Sequence, residues 1–118
     1  MKGEALEQSI IFAWASMQEN VYPELKLMFA IPNGGYRNKL EAKNLKLQGV
    51  KSGVPDIFLS YPKDKFHGLY IELKHGKNKT SENQNKWLTE LNKAGYKAVV
   101  AYEAEEAIKT IKEYLGVD

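Results

Sequence analysis

Apolar residues recur along this chain at two different periods, and the changes of period mark out its elements. From Gly3 to Asn20, Ala5, Leu6, Ile10, Ala13, Trp14 and Met17 follow one another at three- and four-residue spacing, which predicts a helix with one apolar stripe. Glu4 and Glu7 lie near its start, where carboxylates also favour the helix dipole. Val21-Tyr22-Pro23 ends it, because proline cannot continue a helix and restrains the residue before it. Leu25 to Ile31 predicts a short strand, and Pro32-Asn33-Gly34-Gly35 a turn whose backbone N–H groups can approach a phosphate. A second helix is expected from Tyr36 to Gln48, ended by Gly49. Leu40, Leu45 and Leu47 give it a ragged apolar face, with Arg37, Lys39, Lys43 and Lys46 around the rest.

The stretch from Gly53 to Lys74 predicts two short strands joined by a polar turn between Pro62 and Gly68. The first strand opens with Pro55-Asp56 and the second closes with Glu72-Leu73-Lys74. Antiparallel pairing about that turn sets Asp56 near Lys74 and Phe58 near Glu72. Strand side chains alternate faces, so Glu72 and Lys74 share one side and Leu73 takes the other. Asp56 and Glu72 then become diagonal neighbours, roughly 7–8 Å apart at the backbone. Phe58, Leu59, Tyr70, Ile71 and Leu73 predict a sheet covered on both faces, where an ionised acid needs a metal or a lysine. Glu72-Leu73-Lys74 taken alone reads more simply as a solvated surface pair. Together with Asp56, it can hold a hard divalent cation and orient a water beside it.

Beyond Lys74, His75-Gly76-Lys77-Asn78-Lys79 is a basic loop. Ser81 to Ala94 predicts a helix with Trp87, Leu88 and Leu91 apolar, and Ser81 and Gln84 stand at capping-box spacing. Lys97 to Tyr102 predicts a strand. Glu103 to Leu115 predicts a closing helix with Ala107, Ile108, Ile111 and Leu115 inward. A hairpin and a helical crossover in one chain point to a single α/β domain over residues 1–118, with a mixed central β-sheet flanked by helices.

Composition narrows the function. With 118 residues and 43% hydrophobic content, the chain can bury one core. It contains no cysteine, so disulfides and thiolate chemistry are excluded. No apolar run approaches the roughly 20 residues that span a bilayer, and acidic residues precede Ile10, unlike a signal peptide. A cytoplasmic protein is the expectation. A net charge of +2 is small, so the distribution of lysines matters more than the sum. No nucleophile elbow or phosphate-loop motif is present, and His67 and His75 lack transition-metal spacing.

Pro55-Asp56 followed by Glu72-Leu73-Lys74 resembles the PD-(D/E)xK nuclease signature. The helical acid Glu7, the Pro32-Asn33-Gly34-Gly35 segment, Gly49 through Asp56, the Glu-Leu-Lys triplet and Gln84 come in the order of its VRR-nuclease family. Each motif alone is weak; five in order over most of the chain are fairly specific. The Val-Arg-Arg triplet behind the family's name is absent, and Arg37 is the only arginine.

The resemblance implies a restriction-endonuclease-like fold and a Mg²⁺-dependent DNA endonuclease, with Mn²⁺ able to substitute. The implied metal ligands are Asp56, Glu72 and the backbone carbonyl of Leu73. Glu7 would support the metal shell, with Glu4 as its competitor. Lys74 would orient the attacking water, and Gln84 would lie by the centre if not absorbed by its cap. Asn33, Arg37, Lys39, Lys43, Lys46, Lys51, His75, Lys77 and Lys79 would draw the DNA backbone to the site. Stand-alone phage and bacterial members of the family imply a homodimer acting on four-way junctions, for which Phe12, Val21 and Tyr22 offer contact residues. The competing reading is a nucleic-acid-binding module or accessory subunit without catalysis.

Overall fold

The computed structural model describes residues 1–32 and 38–118. The chain runs α1 (Gly3–Gln18), a 3-10 turn (Pro23–Leu27), β1 (Met28–Ala30), α2 (Lys39–Leu47), β2 (Ile57–Leu59), β3 (Leu69–Lys74), α3 (Glu82–Lys93), β4 (Lys97–Tyr102) and α4 (Glu103–Leu115). The four strands form one sheet in the order β1-β2-β3-β4. The first two pairings are antiparallel, and β3 pairs with β4 in parallel. That parallel step needs a crossover, which α3 supplies. The expected α/β architecture with a mixed sheet is therefore what forms. No described helix is long and apolar enough to cross a membrane.

Helix ends follow local chemistry. Ser81 and Gln84 close a reciprocal capping box at the start of α3, and the Asn38 side chain accepts the Glu41 N–H at the start of α2. Gly116 takes the left-handed conformation that stops α4.

One face of the sheet carries the core. Ile57, Leu59, Leu69, Ile71, Leu73 and Ala101 are buried there in one cluster with Ile11 and Ala15 of α1 and Ala104, Ala107, Ile111 and Leu115 of α4. Each fully buried Leu or Ile contributes about 1.5–3 kcal/mol, so this face supplies most of the folding drive. It also fixes the strands that hold the acids.

Several expectations are corrected. The buried side of α1 is Ile11 and Ala15, with Phe12 and Trp14 packed beside them, whereas Leu6, Ile10 and Met17 are exposed. The helix is apolar on two sides, so spacing alone could not choose the face. Leu25 to Ile31 is not one strand: Pro23 opens a 3-10 turn that buries Leu25, and only Met28–Ala30 pairs with β2. Helix α2 buries none of its side chains, and Leu40 and Leu47 are largely exposed.

The hairpin register also differs. Phe58 pairs with Tyr70 rather than lying near Glu72, a shift of two residues. The turn is tighter than Pro62 to Gly68, because Lys63 and Phe66 exchange both backbone hydrogen bonds. A two-residue shift preserves the side-chain faces, so the acids still converge. The sheet is also not covered equally on both sides. Phe58 and Tyr70, opposite the core face, are only half-buried.

Candidate active site

Asp56 sits one residue before β2, at the point where three strands meet. Its carbonyl accepts the Ile31 N–H at 2.7 Å, which extends the β1–β2 pairing. Its side chain reaches the other way, and Oδ2 accepts the Leu73 N–H of β3 at 2.7 Å. Continuing the register past Ile57 and Ile71 brings Asp56 directly opposite Glu72 on the face away from the core. The two acids are thus closer than the diagonal relation expected from the sequence.

Glu72 is 2% exposed, and its Oε1 has no hydrogen-bond partner. Its Oε2 lies 3.7 Å from Lys74 Nζ, and Lys74 is itself 7% exposed. An unpartnered carboxylate oxygen in such a place is costly. Burial first, then the Asp56 carboxylate, push Glu72 up to about 8, against the pull of Lys74. Burial also raises Asp56 from the ordinary carboxylate range, although the Leu73 N–H favours its ionised form.

The chain is steered into this corner by α3. Asn83 Nδ2 donates to Ser52 O and Oγ, and Trp87 Nε1 donates to Ser52 O at 3.1 Å. Gly53, at φ +90°, passes so close that a Cβ there would meet Asn83 Nδ2 at 2.9 Å and Trp87 Cδ1 at 3.0 Å. Only glycine fits this passage.

A second polar cluster borders the first. Glu103 Oε1 accepts the Gly76 N–H at 2.8 Å, and Oε2 lies 2.8 Å from His75 Nδ1. The Glu103 carboxylate raises His75, while the Gly76 N–H and then His75 lower Glu103. Glu103 adopts φ 65°, a left-handed conformation that a side chain rarely takes. Tyr102 Oη donates to Asn78 O at 2.9 Å, so the basic loop after Lys74 is tied to the end of β4 at both points.

Of the two helical acids, Glu7, expected to face the acidic pair, has one oxygen engaged elsewhere. Glu7 Oε1 accepts the Ala104 N–H at 2.8 Å and so satisfies a free backbone donor at the start of α4. Glu4 receives Asn78 Nδ2 at 3.4 Å, and its charge is a minor influence among those that raise Asp56 and Glu72, after burial. Gln84 is similarly engaged: its Oε1 accepts the Ser81 N–H at 2.9 Å within the capping box. Lys39, Lys43, Lys46, Lys51, His75, Lys77 and Lys79 are all exposed. Asn33 and Arg37 lie outside the described residues.

The helix comparison gives a direct prediction. Glu4→Gln should lower any metal-dependent activity about 10–100-fold, as changes in groups supporting a metal shell do. Glu7→Ala should keep activity but lose about 1 kcal/mol of stability, the usual cost of a lost cap. Parallel activity assays and thermal melts check this, and the opposite ranking would return Glu7 to the centre.

The donor set suits a hard cation. The pair provides carboxylate oxygens, and the orphaned Glu72 Oε1 is an open ligand position. Among the described residues, no three acids or histidines close into one ligand cluster. Carboxylate oxygens of this kind would suit a hard divalent cation.

A mixed sheet thus brings a half-buried Asp56, a buried Glu72 and a buried Lys74 together at one end of a hairpin. The family profile of the VRR-NUC domain matches residues 4–105, and the chain belongs to that family. A solved structure described as a "VRR_NUC domain protein" is similar over 99% of this chain and 91% of its own, with a TM-score of 0.84 and 28% identity. No curated protein sequence matches the chain.

Proposed function

We propose that this protein is a Mg²⁺-dependent DNA endonuclease, with Mn²⁺ able to substitute, acting on branched DNA. The observation that carries the reading is Glu72: a 2% exposed carboxylate with an unpartnered oxygen, opposite Asp56 and beside Lys74. A fold does not retain such a group for stability, since an apolar side chain would cost less there. When bound, the metal would neutralise the two acids and stabilise charge that develops on the phosphate.

The residues of the chain divide the remaining work. Asp56 and Glu72 hold the cation, with Asp56 itself held by the Leu73 N–H. Lys74 positions the attacking water and favours its deprotonation. Water adds to phosphorus and gives a proton to solvent as the P–O bond to the leaving strand breaks, and the departing oxygen takes a proton from solvent to leave as the alcohol. Glu4 supports the centre from α1. Incubation with four-way-junction and linear DNA, in Mg²⁺, Mn²⁺ or EDTA, tests the reading. Cleavage only with metal is expected. Binding without cleavage under every condition would favour an accessory module instead.

DNA would be drawn in by exposed lysines of α2, the 49–54 connector and the 75–80 loop. Binding should be salt-sensitive, with a log–log slope of about −0.9 for each duplex phosphate neutralised. Charge reversal at Lys43 and Lys46 should flatten that slope and weaken binding. An unchanged slope would show that α2 faces away from DNA.

A twofold dimer would bring two centres to the two strands of a junction. Phe12 and Tyr22 pack against the core and keep only part of their surface for this contact. The exposed apolar side chains of this region are instead Leu6, Ile10, Met17 and Val21. Sedimentation at micromolar concentration tests the dimer. Mapping of paired incisions on a synthetic junction tests the substrate.

A further inference from the structure

The sheet face that carries the acids also carries a row of aromatic rings that the nuclease chemistry does not use. Phe29 of β1 pairs with Phe58 of β2, and Phe58 pairs with Tyr70 of β3. Their rings run on in the same order. Phe29 meets Phe58 edge-on at 5.7 Å, and Phe58 stacks on Tyr70 at 4.2 Å and 20°. Tyr96 closes on both Phe58 and Tyr70, at 5.9 and 5.3 Å. Gly68 makes room for the row, since a Cβ there would lie 2.7 Å from the Phe58 ring.

Cross-strand aromatic pairs stabilise sheets, and Phe58 with Tyr70 and Phe29 with Phe58 both contribute in that way. Phe29 is only partly used by it: it sits at the open end of the row on an edge strand and is 49% exposed. The helix on this side of the sheet, α3, packs against β4 at the opposite edge.

The position of the row relative to the acids decides what it fits. Phe58 is two residues from Asp56 on its strand, and Tyr70 is two from Glu72. Each is therefore one same-face step away, about 7 Å along the strand. That is the order of distance between a phosphate and a base of its own strand. A continuous apolar, aromatic row beginning one step from the acids and ending in a half-exposed ring matches a nucleobase that has left its stack. Aromatic rings take such bases whatever their sequence, because every base has a π-face.

We propose that Phe29, backed by the Phe58–Tyr70–Tyr96 row, stacks an unpaired nucleobase of the strand engaged at Asp56 and Glu72. The domain thereby favours DNA with unpaired bases beside the cleaved phosphate. The proposal rests on the nuclease reading and adds to it a specificity-determining surface.

The test reads binding of the full-length chain in EDTA, so that cleavage plays no part. Fluorescence anisotropy compares a paired duplex, a duplex with a short single-stranded gap, and the same gap built from abasic residues. Wild type should bind the base-bearing gap about tenfold more tightly than the abasic gap, within the range of one base–aromatic stack. Phe29→Ala should lose that difference and leave paired-duplex binding unchanged, and Phe29→Trp should restore it. Thermal melts of both variants confirm that they are folded. Equal wild-type affinity for the two gaps overturns the platform and leaves the nuclease reading intact. An equal loss on all three DNAs in Phe29→Ala does the same. Absence of binding to any DNA overturns the nuclease reading, and the platform with it.

Discussion

Asp56→Asn and Glu72→Gln are each expected to reduce metal-dependent DNA cleavage to background while the protein stays folded. Both changes keep side-chain shape and remove a charge that a hard cation requires. They should differ in stability. Asp56 has a native partner in the Leu73 N–H, which an asparagine oxygen can still accept. Glu72 is penalised by burial only when ionised, so Glu72→Gln removes that charge while leaving a buried polar group in its place.

The pH dependence gives the sign. Glu72 is raised from 4.5 to about 8 in the metal-free fold, so between those values the native state binds the proton more tightly than the unfolded chain does. Its contribution is complete below about pH 4.5 and is lost as pH rises through about 8. The slope can reach about 1.4 kcal/mol per pH unit inside that window. Metal-free wild type should therefore melt at lower temperature at pH 8 than at pH 5.5, and Glu72→Gln should show a smaller fall. Added Mg²⁺ should raise the wild-type melting temperature most at the alkaline end, where the ligands ionise at least cost. Cleavage near the wild-type rate by either variant would remove the acids from the reaction. A melting temperature that climbed with pH through this window would show that Glu72 is not held protonated.

How far the sequence revealed this site depends on what each signal encodes. Strand β4 and helix α4 were legible because Ala98-Val99-Val100-Ala101 and the Ala107–Ile111–Leu115 spacing admit one reading each. The faces of Asp56, Glu72 and Lys74 were legible because a period of two survives a register error of two. The register itself was not, since it depends on how Lys63 and Phe66 close the turn. In α1, Ile10, Ile11 and Phe12 are consecutive apolar residues, so the burying side is chosen by the sheet and by α4 rather than by the helix's own pattern. The assignment of Glu7 and Glu4 inherited that ambiguity. Pro23 signalled the end of a helix but not the 3-10 turn that shortens β1. The aromatic row was hidden for a different reason: Phe29, Phe58, Tyr70 and Tyr96 come from separate segments, and only the pairing of strands makes them neighbours.

Lys74→Met should lower the cleavage rate about 10²-fold or more, within the range of general acid–base effects. The substitution keeps most of the buried stem and removes the ammonium. Lys74 is the last residue of β3, paired with Tyr102 of β4, and the Glu103 strap on His75 and Gly76 begins one residue later. Its backbone is thus fixed on both sides, and its buried stem ends with Nζ 3.7 Å from Glu72 Oε2. A point charge placed so firmly suits the task of orienting a water and stabilising the hydroxide that forms. It is also a poor metal ligand, being cationic, so its removal should leave divalent-cation affinity unchanged or tighter in calorimetry. The variant should also hold the Glu72 proton more tightly, because the cation that opposes its rise is gone. The activity profile of any residual cleavage should then shift towards higher pH. A collapse of metal binding in Lys74→Met would instead make the lysine a structural partner of the acids. Recovery of full rate at high pH, where hydroxide is abundant, would support its role in activating water.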